Sequence, residues 1–206
     1  MEIASMSKKV KWIVGILVVA VLLFIGAYFV GVLLRPYSYH GNVMQSTDPP
    51  GDFTLIDHNG NRMNLSDYEG KWVILYYGYT FCPDVCPTTM MQLGRMMPLL
   101  GKKTKDVQVF MISVDPERDT PERLKEYVTY FHPSFIGLTG TPEEVADAAA
   151  PFGIYYKKQE VEGASDYLMD HTASVTVLDP QGRVRLIWPY GATAEEMAED
   201  LLHLMR

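Results

Sequence analysis

Residues 12–34 read WIVGILVVAVLLFIGAYFVGVLL, a run with neither a charge nor a proline. A helix crosses a bilayer with about 20 apolar residues, so this run predicts one membrane span. A secretory h-region is shorter, about 7–15 residues, and ends in a small-x-small cleavage site. Here RPYSYHG follows instead, and no cysteine stands nearby for a lipid anchor, so a retained helix is expected. Lys8, Lys9 and Lys11 precede the run and only Arg35 follows closely. Positive charge stays on the cytoplasmic side, which puts the N-terminus in the cytoplasm. With no Arg-rich, acid-poor presequence, the expected setting is the inner (cytoplasmic) membrane of a bacterium, single-pass, with the following domain on the periplasmic side. The expected organisation is a cytoplasmic segment 1–11, an anchor 12–34, a polar linker 35–50 and one domain over 51–206. That domain falls within the usual size of about 100–200 residues.

The net charge of −7 is unevenly spread: residues 1–35 carry +3 and the remainder −10. Nucleic-acid binding rests on neutralising phosphates, so a nucleic-acid partner is not expected. Only two cysteines occur, Cys82 and Cys86. A bridge closing so small a loop gains little loop entropy, which favours a reactive purpose for the pair over a structural one.

The domain's elements are legible from local pattern. DFTLIDHNGNRMNL places Asn59-Gly60 between two short apolar runs, a hairpin signal. WVILYYGYT (72–80) and DVQVFMISVD (106–115) read as buried strands. A helix is expected from about Pro87 to Leu99. Another follows Thr120 with Pro121 at its first position, and a third opens on the capping box Thr141-Pro-Glu-Glu144. Two strands at about 173–178 and 183–188 flank the turn Asp179-Pro180-Gln181-Gly182, and a last helix starts at Thr193 with Glu196 three residues on. Strands alternating with helices indicate a partly parallel sheet. The segment 157–170 reads as a polar loop.

The chemistry concentrates in YGYTFCPDVCPTTM, between a buried strand and a helix. Pro83 and Pro87 fix where the helix can begin, so both cysteines lie at its N-terminus, where the unpaired N–H groups and the dipole favour thiolate. Thiolate is the nucleophile of disulfide exchange and the ligand of a soft metal. Two thiols four apart can converge on one ion or close into a disulfide.

GYTFCPDVCP, SVDPERDTPERL and DYLMDHTASVTVLDPQGRV together resemble the Sco/SenC family over residues 50–206. The resemblance implies a thioredoxin-like α/β fold: a central mixed sheet flanked by helices, with an N-terminal hairpin, after one transmembrane helix. It implies copper held by Cys82, Cys86 and His171. It also implies a part in assembling the binuclear copper centre of cytochrome c oxidase. The partners would be the oxidase's copper-centre subunit, other copper chaperones or thioredoxin-like reductants. Two thiolates and an imidazole suit Cu(I), and the nitrogen also admits Cu(II). Zinc could take the same three groups with a water. An open three-ligand site suits transfer, so a metallochaperone rather than an enzyme is expected.

Two other readings use the same cysteines. A thiol–disulfide oxidoreductase would need Cys82 and Cys86 but not His171, and would more usually carry one residue fewer between them. A thiol peroxidase is suggested by VCPTT, yet the position three before Cys86 is Pro83, which has no hydroxyl to orient a peroxide. His40, His58, His132 and His203 read as surface or packing residues, and Asp84, Asp115, Glu117 and Asp119 as turn and helix-entry residues. Met169, near His171, is a possible soft donor by chemistry but more in keeping with core filling.

Overall fold

The computed structural model describes residues 8–160 and 167–206. The chain divides into two compact units, the second being Tyr39–Arg206. In the first, α1 (Lys8–Leu33) contains a stretch, Lys8–Val32, long and apolar enough to cross a bilayer, with none of its residues buried in protein.

The second unit is built on an eight-stranded sheet. Its strands are β1 (Asn42–Val43), β2 (Thr54–Asp57), β3 (Arg62–Asn64), β4 (Trp72–Gly78), β5 (Val107–Ser113), β6 (Ile136–Thr139), β9 (Val175–Leu178) and β10 (Val184–Trp188). Their spatial order is β1-β10-β9-β4-β5-β6-β2-β3. β4, β5 and β6 are parallel, while β9 joins β4 and β10 joins β9 antiparallel. This is the mixed sheet the sequence predicts. β4 and β5 are buried nearly throughout, as parallel strands covered on both faces must be.

Among the described residues, four α-helices pack with the sheet: α2 (Val85–Leu99), α3 (Pro121–Phe131), α4 (Pro142–Ala149) and α5 (Ala194–Leu204). Successive residues of β4 point to opposite faces. Tyr77 sends its hydroxyl to the Ala148 carbonyl of α4 (2.6 Å), and Tyr76 reaches Cys86 at the start of α2. The N-caps are as predicted: the hydroxyls of Thr120, Thr141 and Thr193 accept from the N–H groups of Arg123, Glu144 and Glu196. Each such cap stabilises its helix by about 1 kcal/mol.

Three local expectations change. α2 begins at Val85, ahead of Pro87, with Asp84 as N-cap, so Cys86 sits inside the first turn and Cys82 before it. Ordered pairing also begins earlier than residue 51, because the buried carboxylate of Asp200 accepts from the N–H groups of His40 and Gly41 and from the Trp188 indole, setting β1 against β10. The expected loop 157–170 is strand at its two ends, 157–159 and 168–170. β7 (Tyr156–Gln159) pairs antiparallel with β8 (Leu168–His171) in a separate two-stranded ribbon. The rest of that segment, 161–166, lies outside the described residues.

Candidate metal centre

Cys82 follows the end of β4 by four residues, in the turn leading to α2, and is half-buried. Cys86 is fully buried, at 0 % exposure. Gly78 closes β4 directly beneath it: a Cβ built there would come within 3.1 Å of the Cys86 sulfur and 2.8 Å of the Tyr76 ring. The glycine leaves the space the sulfur occupies.

His171 ends β8, opposite Tyr156. The hairpin is clasped at its base by Thr172 N–H donating to the Tyr155 carbonyl (2.8 Å) and Tyr155 N–H donating to the Thr172 hydroxyl (3.0 Å). Tyr76 and Tyr79 meet the imidazole edge-on at 6.2 and 5.9 Å. Nδ1 faces the Thr172 carbonyl at 3.1 Å. A carbonyl can only accept, so Nδ1 donates there and Nε2 is the ring atom turned toward the cysteines. Nε2 stands 3.4 Å from the Cys86 sulfur, joining residues 85 apart in sequence. Two donors bound to one ion at about 2.3 and about 2.0 Å would stand about 3.5 Å from each other, so this spacing suits a shared metal.

The two sulfurs are not equivalent. The Cys86 thiol hydrogen-bonded to it is the largest influence lowering the Cys82 pKa, to about 3. Burial opposes this, while the His171 side chain and the N–H groups of Asp84 and Cys86 reinforce it. The Cys86 N–H reaches the Cys82 sulfur at 3.4 Å. Cys86 moves the opposite way, raised by that same bond to Cys82 and by burial. In the metal-free pair the charge is favoured on Cys82 and the shared proton on Cys86, because two adjacent buried anions repel. Among the described residues, no three His, Cys, Asp or Glu side chains stand ready-made as a metal cage. The trio is instead closed by hydrogen bonds, and an ion held there would take the place of the Cys86 proton.

Behind the cysteine turn lies a carboxylate that sequence reading treated as a helix-entry residue. Asp119, at 0 % exposure, accepts from Thr80 N–H (3.1 Å), the Thr80 hydroxyl (2.6 Å) and the Ser113 hydroxyl (2.6 Å). Burial raises its pKa. It ties the end of β5 to the residue two before Cys82. Asp115 is buried as well, and takes the Nε–H of Arg118. Both were legible only as acids in a motif, since burial is settled by segments far away in sequence. Met169 is partly buried against the core, in keeping with packing. Of the remaining histidines, His58 accepts from Gly137 N–H and is buried, and His40 lies beside Glu199.

A parallel-cored thioredoxin-like sheet, two cysteines in the turn after its central strand, and an imidazole nitrogen brought up to them form a candidate thiol-and-imidazole site for a soft metal. Comparison with known proteins agrees. The SCO1/SenC family model matches residues 43–206, and the chain belongs to that family. An SCO2-like protein of Rickettsia conorii is 34% identical over 194 residues, covering 90% of this chain and 94% of its own length. Among solved structures, apo Sco1 of Thermus thermophilus is 40% identical with a TM-score of 0.74, over 82% of this chain and 98% of that one. Arabidopsis thaliana ScoI, solved with copper bound, is 38% identical with a TM-score of 0.71, over 76% of this chain and 97% of that one.

Proposed function

We propose that this protein is a membrane-anchored copper chaperone that holds copper with Cys82, Cys86 and His171. The copper passes to the binuclear copper centre during cytochrome c oxidase assembly. The observation that carries the reading is the 3.4 Å approach of His171 Nε2 to the buried Cys86 sulfur. It gives the cysteine pair a third, nitrogen donor that disulfide chemistry does not require. Two sulfurs and one nitrogen suit Cu(I), and the nitrogen lets the same site hold Cu(II). Copper-bound relatives support this choice over zinc.

The anchor is the apolar run 12–34, carried by α1, with residues 1–11 cytoplasmic and the copper-carrying domain, 51–206 together with the strand β1 ahead of it, outside the inner membrane. The three lysines ahead of the apolar run support that orientation. The receiving partner is the oxidase's copper-centre subunit. A second reading, reduction of that subunit's cysteines, is favoured by one observation. The half-exposed Cys82 is held as thiolate beside a thiol, the arrangement from which disulfide exchange starts. Direct peroxide reduction by Cys86 is disfavoured by its complete burial.

The test is an anaerobic Cu(I) titration of the full chain in detergent, as the dithiol, as the disulfide and as His171→Ala. One tightly held copper on the dithiol, none on the disulfide and weakened binding in the variant are expected. Tight binding that survives oxidation of both thiols would overturn the reading.

A further inference from the structure

His171 sits on a ribbon that is separate from the main sheet, so something else must hold it over the cysteines. One exposed ion pair, Lys158 with Glu117, ties the ribbon to the loop after β5 (3.0 Å), and such pairs hold little. The stronger link is Arg118. Its guanidinium carbon lies 3.6 Å from the centroid of the Tyr167 ring and 4.6 Å from that of Phe81. Phe81 immediately precedes Cys82, and Tyr167 stands four residues before His171. One cation thus stacks on an aromatic ring from each of the two ligand-bearing segments.

Hydrogen bonds fix the geometry. Arg118 Nε donates to the buried Asp115 carboxylate at 2.5 Å, and Nη1 donates to the Tyr167 carbonyl at 3.0 Å. The Tyr167 hydroxyl donates to the other Asp115 oxygen at 2.8 Å. Arg118, Asp115 and Tyr167 therefore close a ring of hydrogen bonds, and the side chain of Arg118 is only 13% exposed. A planar guanidinium can stack and donate in two directions at once, which an ammonium cannot.

We propose that Arg118 is the positioning residue of the metal centre, clamping the ribbon that carries His171 against the loop that carries Cys82. The inference rests on the reading of Cys82, Cys86 and His171 as the ligands. Arg118 touches no ligand atom in this role. It acts through the placement of His171, so its contribution should vanish when His171 is gone.

The test compares the reduced full chain in detergent with Arg118→Ala, Tyr167→Leu, His171→Ala and the double variant Arg118→Ala/His171→Ala. Cu(I) affinity is read by competition with a chromophoric chelator, and the Cu(II) form by electron paramagnetic resonance. Removing a residue that orients a ligand costs about 10- to 100-fold in metal affinity. Arg118→Ala and Tyr167→Leu are expected to lose that much and to shift the Cu(II) spectrum toward that of His171→Ala. Adding Arg118→Ala to His171→Ala should change nothing further. An equal loss from Arg118→Ala in both backgrounds would show a general effect on the fold and overturn the proposal, as would wild-type affinity and spectrum in the single variants. If Arg118→Ala does not fold, Tyr167→Leu decides alone, since it leaves the contacts of Arg118 with Asp115 and Phe81 in place. A His171→Ala chain with wild-type affinity and spectrum would sink the ligand assignment itself, and the clamp with it.

Discussion

Asp119→Ala should destabilise the domain severely although it removes only one small side chain. Three donors point at this carboxylate: Thr80 N–H and the hydroxyls of Thr80 and Ser113. Neither hydroxyl is free to turn away without loss. The Thr80 hydroxyl also accepts from Arg123 Nε (2.6 Å), and the Ser113 hydroxyl accepts from Asp115 N–H (3.0 Å). Each stranded buried donor costs about 1–3 kcal/mol, and the losses are not fully additive, so the substitution should cost about 3–5 kcal/mol. With a urea dependence of about 2 kcal/mol per M, the unfolding midpoint should fall by about 2 M, read from the fluorescence of the buried Trp188 in the reduced apo chain. The pH dependence carries a sign. Burial raises the folded-state pKa of Asp119 above its ordinary value. The folded chain therefore binds the extra proton, and the stability due to this group is full below the ordinary carboxyl pKa. It is lost as pH rises through the raised folded value. The gap between wild type and variant should accordingly be widest in acid and narrow toward neutrality. A midpoint within about 0.3 M of wild type, or a gap that widens with pH, would refute this account of the turn behind the cysteines.

Iodoacetamide should alkylate Cys82 in the reduced apo chain at a rate nearly flat from pH 6 to 8, because its thiolate is already formed, and should leave Cys86 unmodified; peptide mass mapping reads both. Equal labelling of the two would contradict the assignment of charge to Cys82. Gly78→Ala should fold with a modest loss of stability yet weaken Cu(I) binding by at least about tenfold, because the added methyl meets the Cys86 sulfur and the Tyr76 ring. Unchanged affinity would mean that the sulfur has room to move.

What could be read from sequence follows from the range of the forces involved. β4 and β5 were legible because a doubly covered parallel strand is apolar at nearly every position. The starts of α3, α4 and α5 were legible because a Thr cap and the N–H it holds lie within four consecutive residues. The cysteines announced themselves by spacing and by the prolines around them. His171 did not: nothing local distinguishes it from a loop histidine, and it entered only through resemblance of the motif around it. Asp119, Asp115 and Arg118 share the motif SVDPERDTPERL but gave no sign of their duties. Their partners stand far off, Thr80 39 residues before Asp119 and Tyr167 49 after Arg118. The ribbon β7–β8 escaped for a related reason, since YKKQ and LMDH form strands by pairing with each other and bury little apolar surface.

The central claim is that one copper ion sits between Cys82, Cys86 and His171. X-ray absorption at the copper edge of the Cu(I)-loaded full chain tests it most directly, with His171→Ala measured alongside. The account predicts two sulfur scatterers and one imidazole nitrogen, the nitrogen shell disappearing in the variant. A sulfur-only spectrum that is the same in both proteins would contradict it.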